Sequence, residues 1–485
     1  MIFVRQSQVS LRASWLSVVF LVVRGKFKAF NMNTACIAVG VLLCTGVAVA
    51  KDNLRVAYEW REMDFQYDSP DQRWSAIERG AFNPANVIPF GLEVYRQRLF
   101  VTLPRWRNGV PASLAYLDLN DTSTKMPALR PFPSWVSHSL SDADPELVSP
   151  FRVKADRCGR LWVLDSRIAG VLEQTKLYGP AQLLIYDLHN DDLLRRHILP
   201  MSQTKQNSFF ANLAIEDADC DNTYAYAADL GSPGLVVYSW RDQESWRVQH
   251  HFFHPDPLAG NFSINDIEFQ WDDGLYGLAL SKPESDGFST LYFHPLSSTM
   301  EFSVKTSVLR NKTLATSGAI YRDFKILGNR GVDAQAGAQF LDAETGVLFY
   351  TLPNLNSLGC WQTSKGYNVQ DRIYSNNSSF VFPSDVKVDD ERRLWVLVNQ
   401  MQNFIYDELY PGSINFRIYM ANVKDALEHT ACEATKTLPD LVGKLGEVLR
   451  TNIKLKTATD EGSKSAAAAL TMSVGALLLT LFSLL

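Results

Sequence analysis

The stretch FPSDVKVDDERRLWVLVN at residues 382–399 has the pattern that decides the fold. A β-rich run opens after a phenylalanine and a proline, the chain turns through Asp, Glu and Arg, and a second β-rich run leads to Asn399. Val, Leu and Trp favour strands, whereas a cluster of charged residues between two such runs is typical of a turn. The stretch therefore predicts a β-hairpin.

Five further copies of this pattern occur along the chain, and the six copies are spaced irregularly by roughly 45 to 75 residues. The others read PFGLEVYRQRLFVTLPRW (89–106), SPFRVKADRCGRLWVLDSR (149–167), ANLAIEDADCDNTYAYAADL (211–230), INDIEFQWDDGLYGLALS (264–281) and GAQFLDAETGVLFYTLPN (337–354). Each copy is followed by a second strand pair, which we place at 113–120, 183–199, 235–248, 291–304, 360–374 and 416–427. A hairpin followed by a hairpin makes one four-stranded sheet.

Six such sheets predict an all-β fold, a six-bladed β-propeller over residues 51–435. One sheet alone cannot bury both of its faces, whereas six sheets packed radially bury them and protect the sheet edges. A β-solenoid would need shorter and more regular repeats, and a β-sandwich would not contain six matched units.

Both ends of the chain carry apolar segments that we assign to export rather than to the fold. Residues 1–50 form a signal region, in which 1–31 is an extension if translation starts at Met32 and about 32–50 is a signal peptide ending in an Ala-Val-Ala cleavage pattern. A retained signal anchor is the alternative. Residues 436–465 are predicted to be a helical and polar linker. The uncharged tail 466–485 predicts either a cleaved glycolipid-anchor signal or a membrane anchor.

Four cysteines remain once the signal region is removed: Cys158, Cys220, Cys360 and Cys432. An even number in an exported chain favours two disulfides, for which three pairings exist. We favour Cys158–Cys220 with Cys360–Cys432, because each of these bonds would join neighbouring repeats. Glycosylation sequons support export, and they occur at Asn120, Asn261, Asn311, Asn376 and Asn377.

Composition argues against a nucleic-acid partner. The formal net charge is -5, and the body of the chain contains no long basic run. The sequence contains neither a glycine-rich phosphate loop nor a G-x-S-x-G nucleophile motif, and it predicts no cofactor. The tail predicts that the protein can also associate with a membrane.

Several stretches in combination resemble the Yellow and major royal jelly protein family of insects. They are WREMDFQY (60–67), NVIPFGLEVYRQRLFVTLPRWRNGVPASLAYLD (86–118), DRCGRLWVLDS (156–166), QLLIYDL (182–188), FPSDVKVDDERRLWVL (382–397) and NFRIY (415–419). The resemblance covers roughly residues 54–432 and implies an exported six-bladed propeller that acts in pigmentation and hardening of cuticle or eggshell. Some relatives bind biogenic amines, and some convert dopachrome. Where the family motif usually ends in Asp-Ser-Gly, this chain has Arg167, which predicts a rearranged loop.

The resemblance also implies a ligand pocket at the centre of the propeller. The positions that match the family's amine contacts are Ser384, Asn399 and Met401. Ser384 and Asn399 offer hydrogen bonds to an ammonium or a catechol. Met401 stands where relatives have a flat ring, and it supplies packing without the cation attraction of an aromatic face. The alternative is that Ser384 and Asn399 only begin a strand and close a turn.

The sequence also contains candidates for other kinds of site. Glu93, Asn265, Asp266 and Asp385 are predicted to start inner strands, where they would face the axis and bind a divalent cation. No Cys or His spacing favours a metal, and our preferred interpretation has none. His189, His197, His250, His251 and His254 fall in outer strands or loops. His138 precedes the second repeat and would reach a pocket mouth, with no visible partner.

Three functions follow from these observations. The first is a secreted or surface-anchored Yellow-like protein that acts in pigmentation or sclerotisation and binds a catechol or biogenic amine. The second is a dopachrome-converting isomerase, for which the sequence identifies no acid–base pair. The third is a structural protein of the extracellular matrix without a small ligand.

Overall fold

The computed structural model describes residues 54–433, and these residues contain six four-stranded antiparallel sheets. The innermost strands contact one another in chain order, and the last contacts the first, so the sheets close into a ring. The inner strands of blades 1 to 6 are Gly91–Tyr95, Pro150–Ala155, Phe210–Glu216, Leu275–Leu280, Gln339–Asp342 and Pro383–Val388. The predicted all-β six-bladed β-propeller is confirmed.

Three more strands complete each blade outward from the axis. The second strands are Arg98–Thr102, Arg160–Asp165, Tyr224–Asp229, Thr290–Pro295, Val347–Leu352 and Arg393–Val398. The third strands are Leu114–Asp118, Gln182–Asp187, Gly234–Ser239, Met300–Lys305, Ser357–Gln362 and Phe416–Asn422. The outer strands are Arg130–Pro131, Leu193–Ile198, Glu244–Val248, Lys325–Asn329, Gln370–Ser375 and, for blade 6, Arg55–Trp60.

The remaining elements are short and lie between strands or blades. The α-helices are Pro70–Glu78, Thr306–Arg310, Lys312–Ala315, Met401–Tyr406 and Val423–Leu427. Two small hairpins lie outside the blades and pair Ile168–Ala169 with Lys176–Leu177 and Asn261–Ile264 with Ile267–Gln270. Apolar clusters fill the space between neighbouring blades, as when Leu164 and Leu183 of blade 2 share a cluster with Phe210 of blade 3.

The last blade is completed by the beginning of the described chain. We predicted that residues 416–427 would supply both of its outer strands, and this was wrong. Only Phe416–Asn422 is a strand, and Val423–Leu427 turns into a helix. The outer position is taken by Arg55–Trp60, which pairs antiparallel with Phe416–Asn422 and so ties the two ends of the ring together. This pairing also covers a strand edge that would otherwise be exposed.

The fourth repeat is also built differently from the prediction. Residues 264–281 do not form the first hairpin of a blade, because Leu275–Leu280 alone is the inner strand and pairs with Thr290–Pro295. The preceding residues form the separate hairpin Asn261–Ile264 with Ile267–Gln270. Its two-residue turn has φ +49° at Asn265 and +66° at Asp266, the left-handed conformation that tight hairpin turns require.

The preferred disulfide pairing is confirmed. Cys158 is bonded to Cys220, which joins the turns of blades 2 and 3, and Cys360 of blade 5 is bonded to Cys432 after blade 6. The two disulfides fit an extracellular location. The side chains of all five sequon asparagines are exposed, and glycosylation itself stays a prediction.

The predicted end segments lie outside the described residues. These are the signal region 1–50, the linker 436–465 and the tail 466–485. Within residues 54–433 we find no helix that is long and apolar enough to cross a membrane.

The closing strand, Arg55–Trp60, completes blade 6, and its contribution to stability can be tested by mutation. Trp60 is only 2% exposed, and its indole Nε1 donates a hydrogen bond to the carbonyl oxygen of Pro127 at 2.9 Å. We expect Trp60→Ala to lower the free energy of unfolding by about 3–5 kcal/mol, because it leaves a cavity and an unpaired carbonyl. The matched control is Trp74→Ala, since Trp74 is 59% exposed and its loss should cost roughly 0.5 kcal/mol or less. Urea unfolding followed by circular dichroism measures both; equal effects would contradict the role given to the closing strand.

Candidate functional site

A cavity of about 280 Å³ lies on the propeller axis where the inner strands begin. We call it the cup. Its wall comes from residues at or just before the inner strands, and its mouth is bordered by the loops and by the helix Met401–Tyr406. Ligand cavities are typically of this size or larger and are mostly apolar with a few polar groups, as the cup is.

The wall of the cup is aromatic. Phe90, Phe151, Phe209 and Phe382 line it, and each lies at or just before the start of an inner strand. The rings of Phe90 and Phe151 are 4.1 Å apart between centroids, and those of Phe151 and Phe209 are 5.0 Å apart and nearly perpendicular. Our sequence analysis missed this set, although a phenylalanine within two residues of the start of four repeats was a visible signal.

Two of the three predicted ligand residues line the cup. Ser384 is at the start of the blade 6 inner strand, and Met401 is the first residue of the helix at the mouth. Asn399 is fully buried outside the lining, and its Nδ2 donates a hydrogen bond to the carbonyl oxygen of Pro89 at 2.9 Å. Asn399 therefore holds the loop that precedes blade 1. Ligand contact by these residues stays a prediction.

The guanidinium of Arg152 is almost fully buried under the floor of the cup, behind lining residues that it contacts and outside the lining itself. Its Nη1 donates to the carbonyl oxygens of Phe90 and Phe151, both at 3.1 Å. Its Nη2 donates to the hydroxyl of Tyr276 at 2.6 Å and to the carbonyl oxygen of Ser384 at 2.8 Å. Tyr276 is part of the lining of the cup, and because its hydroxyl oxygen accepts from Arg152, its own O–H remains available as a donor.

Below Arg152 lie two buried ion pairs. The Asp385 carboxylate is 2.6 Å from Nζ of Lys387 and 3.6 Å from Nε of Arg152. Burial alone would raise the pKa of Asp385, but Arg152 and Lys387 hold it below its usual range. The second pair joins Glu93 and Lys154 at 2.9 Å, and here burial outweighs the lysine and raises the pKa of Glu93.

The metal alternative is not supported by this arrangement. Glu93 and Asp385 lie on inner strands but are bound to lysines. The prediction that Asn265 and Asp266 start inner strands was wrong, since both lie in the turn of the hairpin outside the blades. Within the part of the chain that the structure describes, no three His, Cys, Asp or Glu side chains are grouped so that they could hold a metal ion.

Asp273 places a carboxylate in the lining of the cup, and sequence reasoning missed it. It follows Trp271 and Asp272 in a turn that looks like an ordinary polar loop. No side chain or backbone N–H in residues 54–433 donates a hydrogen bond to its carboxylate. Burial raises the pKa of Asp273 to about 7, and the nearby charge of Asp272 adds to the effect. A carboxyl group that titrates near neutrality in an apolar cavity is typical of functional sites.

The mouth of the cup is held by contacts between the hairpin of residues 261–270 and blade 6. The indole Nε1 of Trp271 donates to the hydroxyl of Tyr406 at 2.6 Å. The ring of Phe269 stacks on Tyr406 with a centroid distance of 4.8 Å. The hairpin therefore positions Trp271 and the neighbouring Asp273 at the cup.

The loop after the blade 2 hairpin accommodates the arginine that replaces the family's glycine. Arg167 has φ +56°, the left-handed conformation that glycine adopts easily and that costs other residues roughly 1–2 kcal/mol. Its guanidinium donates to the carboxylate of Asp144 at 2.7 Å and to the carbonyl oxygen of Tyr178 at 2.6 Å. These bonds stabilise the strained residue, so the replacement by itself does not require the rearranged loop that we predicted.

His138 has partners that the sequence did not show, and it lies outside the cup. Its Nδ1 accepts from the backbone N–H of Ser113 at 3.2 Å, and its Nε2 is 3.0 Å from the carbonyl oxygen of Phe132. Burial, with a contribution from Arg105, lowers the pKa of His138 to about 3. A neutral imidazole that is hydrogen-bonded at both of its nitrogens in this way has a structural role.

Together these features define the class of protein: a six-bladed β-propeller with an aromatic cavity at one end of its axis and one unpaired carboxylate in that cavity. The model of the major royal jelly protein family matches residues 148–432. Protein yellow of Drosophila erecta is 38% identical over 385 residues, which cover 78% of this chain and 71% of that protein. Protein yellow of Drosophila melanogaster has the same identity and coverage.

The chain belongs to the Yellow and major royal jelly protein family. Its membership makes it a Yellow-like protein and supports a role in pigmentation. Among solved structures, a protein of unknown function from Bacteroides thetaiotaomicron has a TM-score of 0.44 and 9% identity, over 76% of this chain and 75% of that one. We draw no conclusion from that likeness.

The raised pKa of Asp273 predicts how stability depends on pH. In the unfolded chain this carboxyl has its ordinary pKa of 3.8, whereas burial in the folded protein raises the pKa to about 7. Between these values the folded state binds the extra proton, so stability falls as pH rises and the loss is complete above about pH 7. We expect Asp273→Asn to remove the loss and to raise the melting temperature at alkaline pH but not at about pH 4.

Thermal unfolding of both forms across this pH range measures the difference. Asp272→Asn is the control, because Asp272 is exposed and should leave most of the pH dependence in place. A melting-temperature difference between wild type and Asp273→Asn that does not change with pH would show that Asp273 ionises normally.

Proposed function

We propose that this Yellow-like protein binds a small aromatic amine, such as a catecholamine, in the cup and acts through it in pigmentation or sclerotisation of cuticle or eggshell. The observation that carries the proposal is the Asp273 carboxylate, which is unpaired in an otherwise apolar and aromatic cavity. Such a group needs a cationic partner from outside the chain to be ionised without cost.

The aromatic wall supports the same ligand class. An ammonium placed over the face of Phe, Tyr or Trp gains about 0.5–2 kcal/mol, with the larger value where water is excluded. Trp271 and Phe382 both line the cup, and their ring centroids are 6.1 Å apart. The flat ring of the ligand would pack against the same side chains. Met401 contributes apolar contact without this attraction.

Charge at the two ends of the cup favours one orientation of the ligand. Arg152 under the floor repels an ammonium, and Asp273 attracts one, so the amine is expected at Asp273 and the ring hydroxyls towards the floor. There the O–H of Tyr276 can donate to a catechol oxygen. Burial raises the pKa of Tyr276 to about 12, which keeps this donor protonated at neutral pH. Ser384 offers a second hydroxyl in the same lining.

Export belongs to the proposal as well. We propose that the signal region 1–50 directs secretion, that the sequons carry glycans, and that the tail 466–485 is exchanged for a glycolipid anchor. The exposed sequon side chains and the two disulfides support an extracellular location. Release of the protein from cells by a phospholipase specific for glycolipid anchors tests the last point, and retention on the membrane after treatment would contradict it.

Calorimetric titration with dopamine and serotonin tests the ligand. We expect binding to the wild-type protein, at least about tenfold weaker binding to Asp273→Asn, and stronger binding as pH rises through about 7, where Asp273 ionises. Asp272→Asn is the matched control and should bind almost as the wild type does. If neither amine binds to the wild-type protein, the result contradicts the proposal and favours a structural role in the extracellular matrix without a small ligand.

The dopachrome isomerase is a second candidate, because the pKa of Asp273 suits it to proton transfer near neutrality. The hydroxyl of Tyr276, in the same lining, would serve as the proton donor. We expect any conversion of dopachrome to be lost in Asp273→Asn and kept in Asp272→Asn, as followed by the decay of dopachrome absorbance. Decay no faster than with heat-denatured protein would exclude this activity.

A further inference from the structure

A second cavity, of about 160 Å³, lies where the inner strands end, at the other end of the axis from the cup. We call it the lower pocket. The ends of the inner strands of blades 3, 4 and 5 form most of its lining, and Lys154 of blade 2 and Lys387 of blade 6 complete it. The proposed amine site does not use this pocket.

Four cationic side chains line the lower pocket, and three of them are lysines with unused hydrogen-bond donors. An ammonium has three N–H groups. Lys154 donates only to Glu93, at 2.9 Å, and Lys387 donates to Asp385 at 2.6 Å and to the carbonyl oxygen of Val386 at 3.3 Å. The ammonium of Lys282 has no hydrogen-bond partner within residues 54–433.

The carboxylates of the lining are already occupied. Glu216 accepts from the hydroxyl of Tyr226 at 2.5 Å and from the hydroxyl of Thr306 at 2.8 Å. Asp217 accepts from the backbone N–H of Arg157 at 2.7 Å and lies 3.3 Å from its guanidinium Nε. One buried acceptor of the lining, Oε1 of Gln339, has no hydrogen-bond partner within residues 54–433. The lysines offer several unused N–H groups, so the lining presents more free donors than free acceptors.

We propose that the lower pocket binds a small oxyanion, a phosphate-like or carboxylate group, through Lys154, Lys282 and Lys387. Such a ligand supplies mainly acceptors, which matches the unused N–H groups, and hydrogen bonds between charged groups of this kind are the stronger ones. The small volume and the enclosing strand ends favour a compact group. Gln339 and Asn212 border the same space and provide polar surroundings.

The site is separated from the cup by a layer of buried side chains. Lys387 is bonded to Asp385, which lies 3.6 Å from Arg152 under the floor of the cup. The proposal therefore does not rest on the amine ligand, and loss of dopamine binding in the Asp273 variant leaves it intact.

Ala343 offers a clean test, because it borders the lower pocket and is exposed, so a larger side chain there does not disturb the core. We expect Ala343→Glu to weaken the binding of inorganic phosphate at least tenfold, since its carboxylate would repel the anion and compete for the lysines. Ala343→Gln is the matched control, with the same size and no charge, and it should bind nearly as the wild type does.

Calorimetric titration of the full secreted protein with phosphate at low ionic strength makes the measurement. Acetate in parallel shows whether a carboxylate is bound instead, and either anion supports the proposal if its affinity falls in Ala343→Glu and not in Ala343→Gln. Lys282→Gln should also weaken binding, unlike Lys325→Gln, which changes an exposed lysine on the outer strand of blade 4. No binding of either anion by the wild-type protein, or equal binding by all variants, overturns the proposal.

Discussion

The guanidinium of Arg152 joins four of the six blades around the propeller axis. It donates to backbone oxygens before or within blades 1, 2 and 6 and to the Tyr276 hydroxyl of blade 4. Burying a charge is costly unless it is paired and its donors are bonded. Here the acceptors from these blades bond both Nη groups, while Nε has no hydrogen-bond partner and lies 3.6 Å from the Asp385 carboxylate. A guanidinium suits this position because its donors point outward in a fixed plane, whereas an ammonium could not reach the same acceptors.

This buried cation divides the axis into two spaces of opposite character. Above it, phenylalanines at the strand starts form an apolar cup in which Asp273 is the unpaired charge. Below it, lysines at the strand ends surround a smaller pocket. The guanidinium lies in the buried layer between the two cavities and lines neither of them. A ligand with a positive end and a neutral, hydroxyl-bearing end fits the upper space.

Asp273 illustrates why a functional group can weaken the fold that holds it. Its carboxyl is kept near the apolar wall by the turn that follows Trp271, and the hydrogen bond from Trp271 to Tyr406 fixes that turn. Burial makes ionisation of Asp273 unfavourable when no ligand is bound. The folded state is therefore less stable at neutral pH than it would be with an uncharged side chain at this position. Functional sites commonly carry such a cost.

Local patterns in the sequence indicated six blades, because a hairpin depends on residues close together in the chain. The position of the cysteines in neighbouring repeats favoured the disulfide pairing that the structure has. Local patterns also indicated Ser384 and Met401 through the family resemblance. Only the tertiary structure decided that Arg55–Trp60 completes blade 6, that residues 261–270 leave the blades, and that Asn399 lies behind the cup. Asp273 and the lysines of the lower pocket were equally hidden, since they meet across different blades only after the ring closes. Contacts between residues so distant in the chain follow from ring closure, and no local pattern records them.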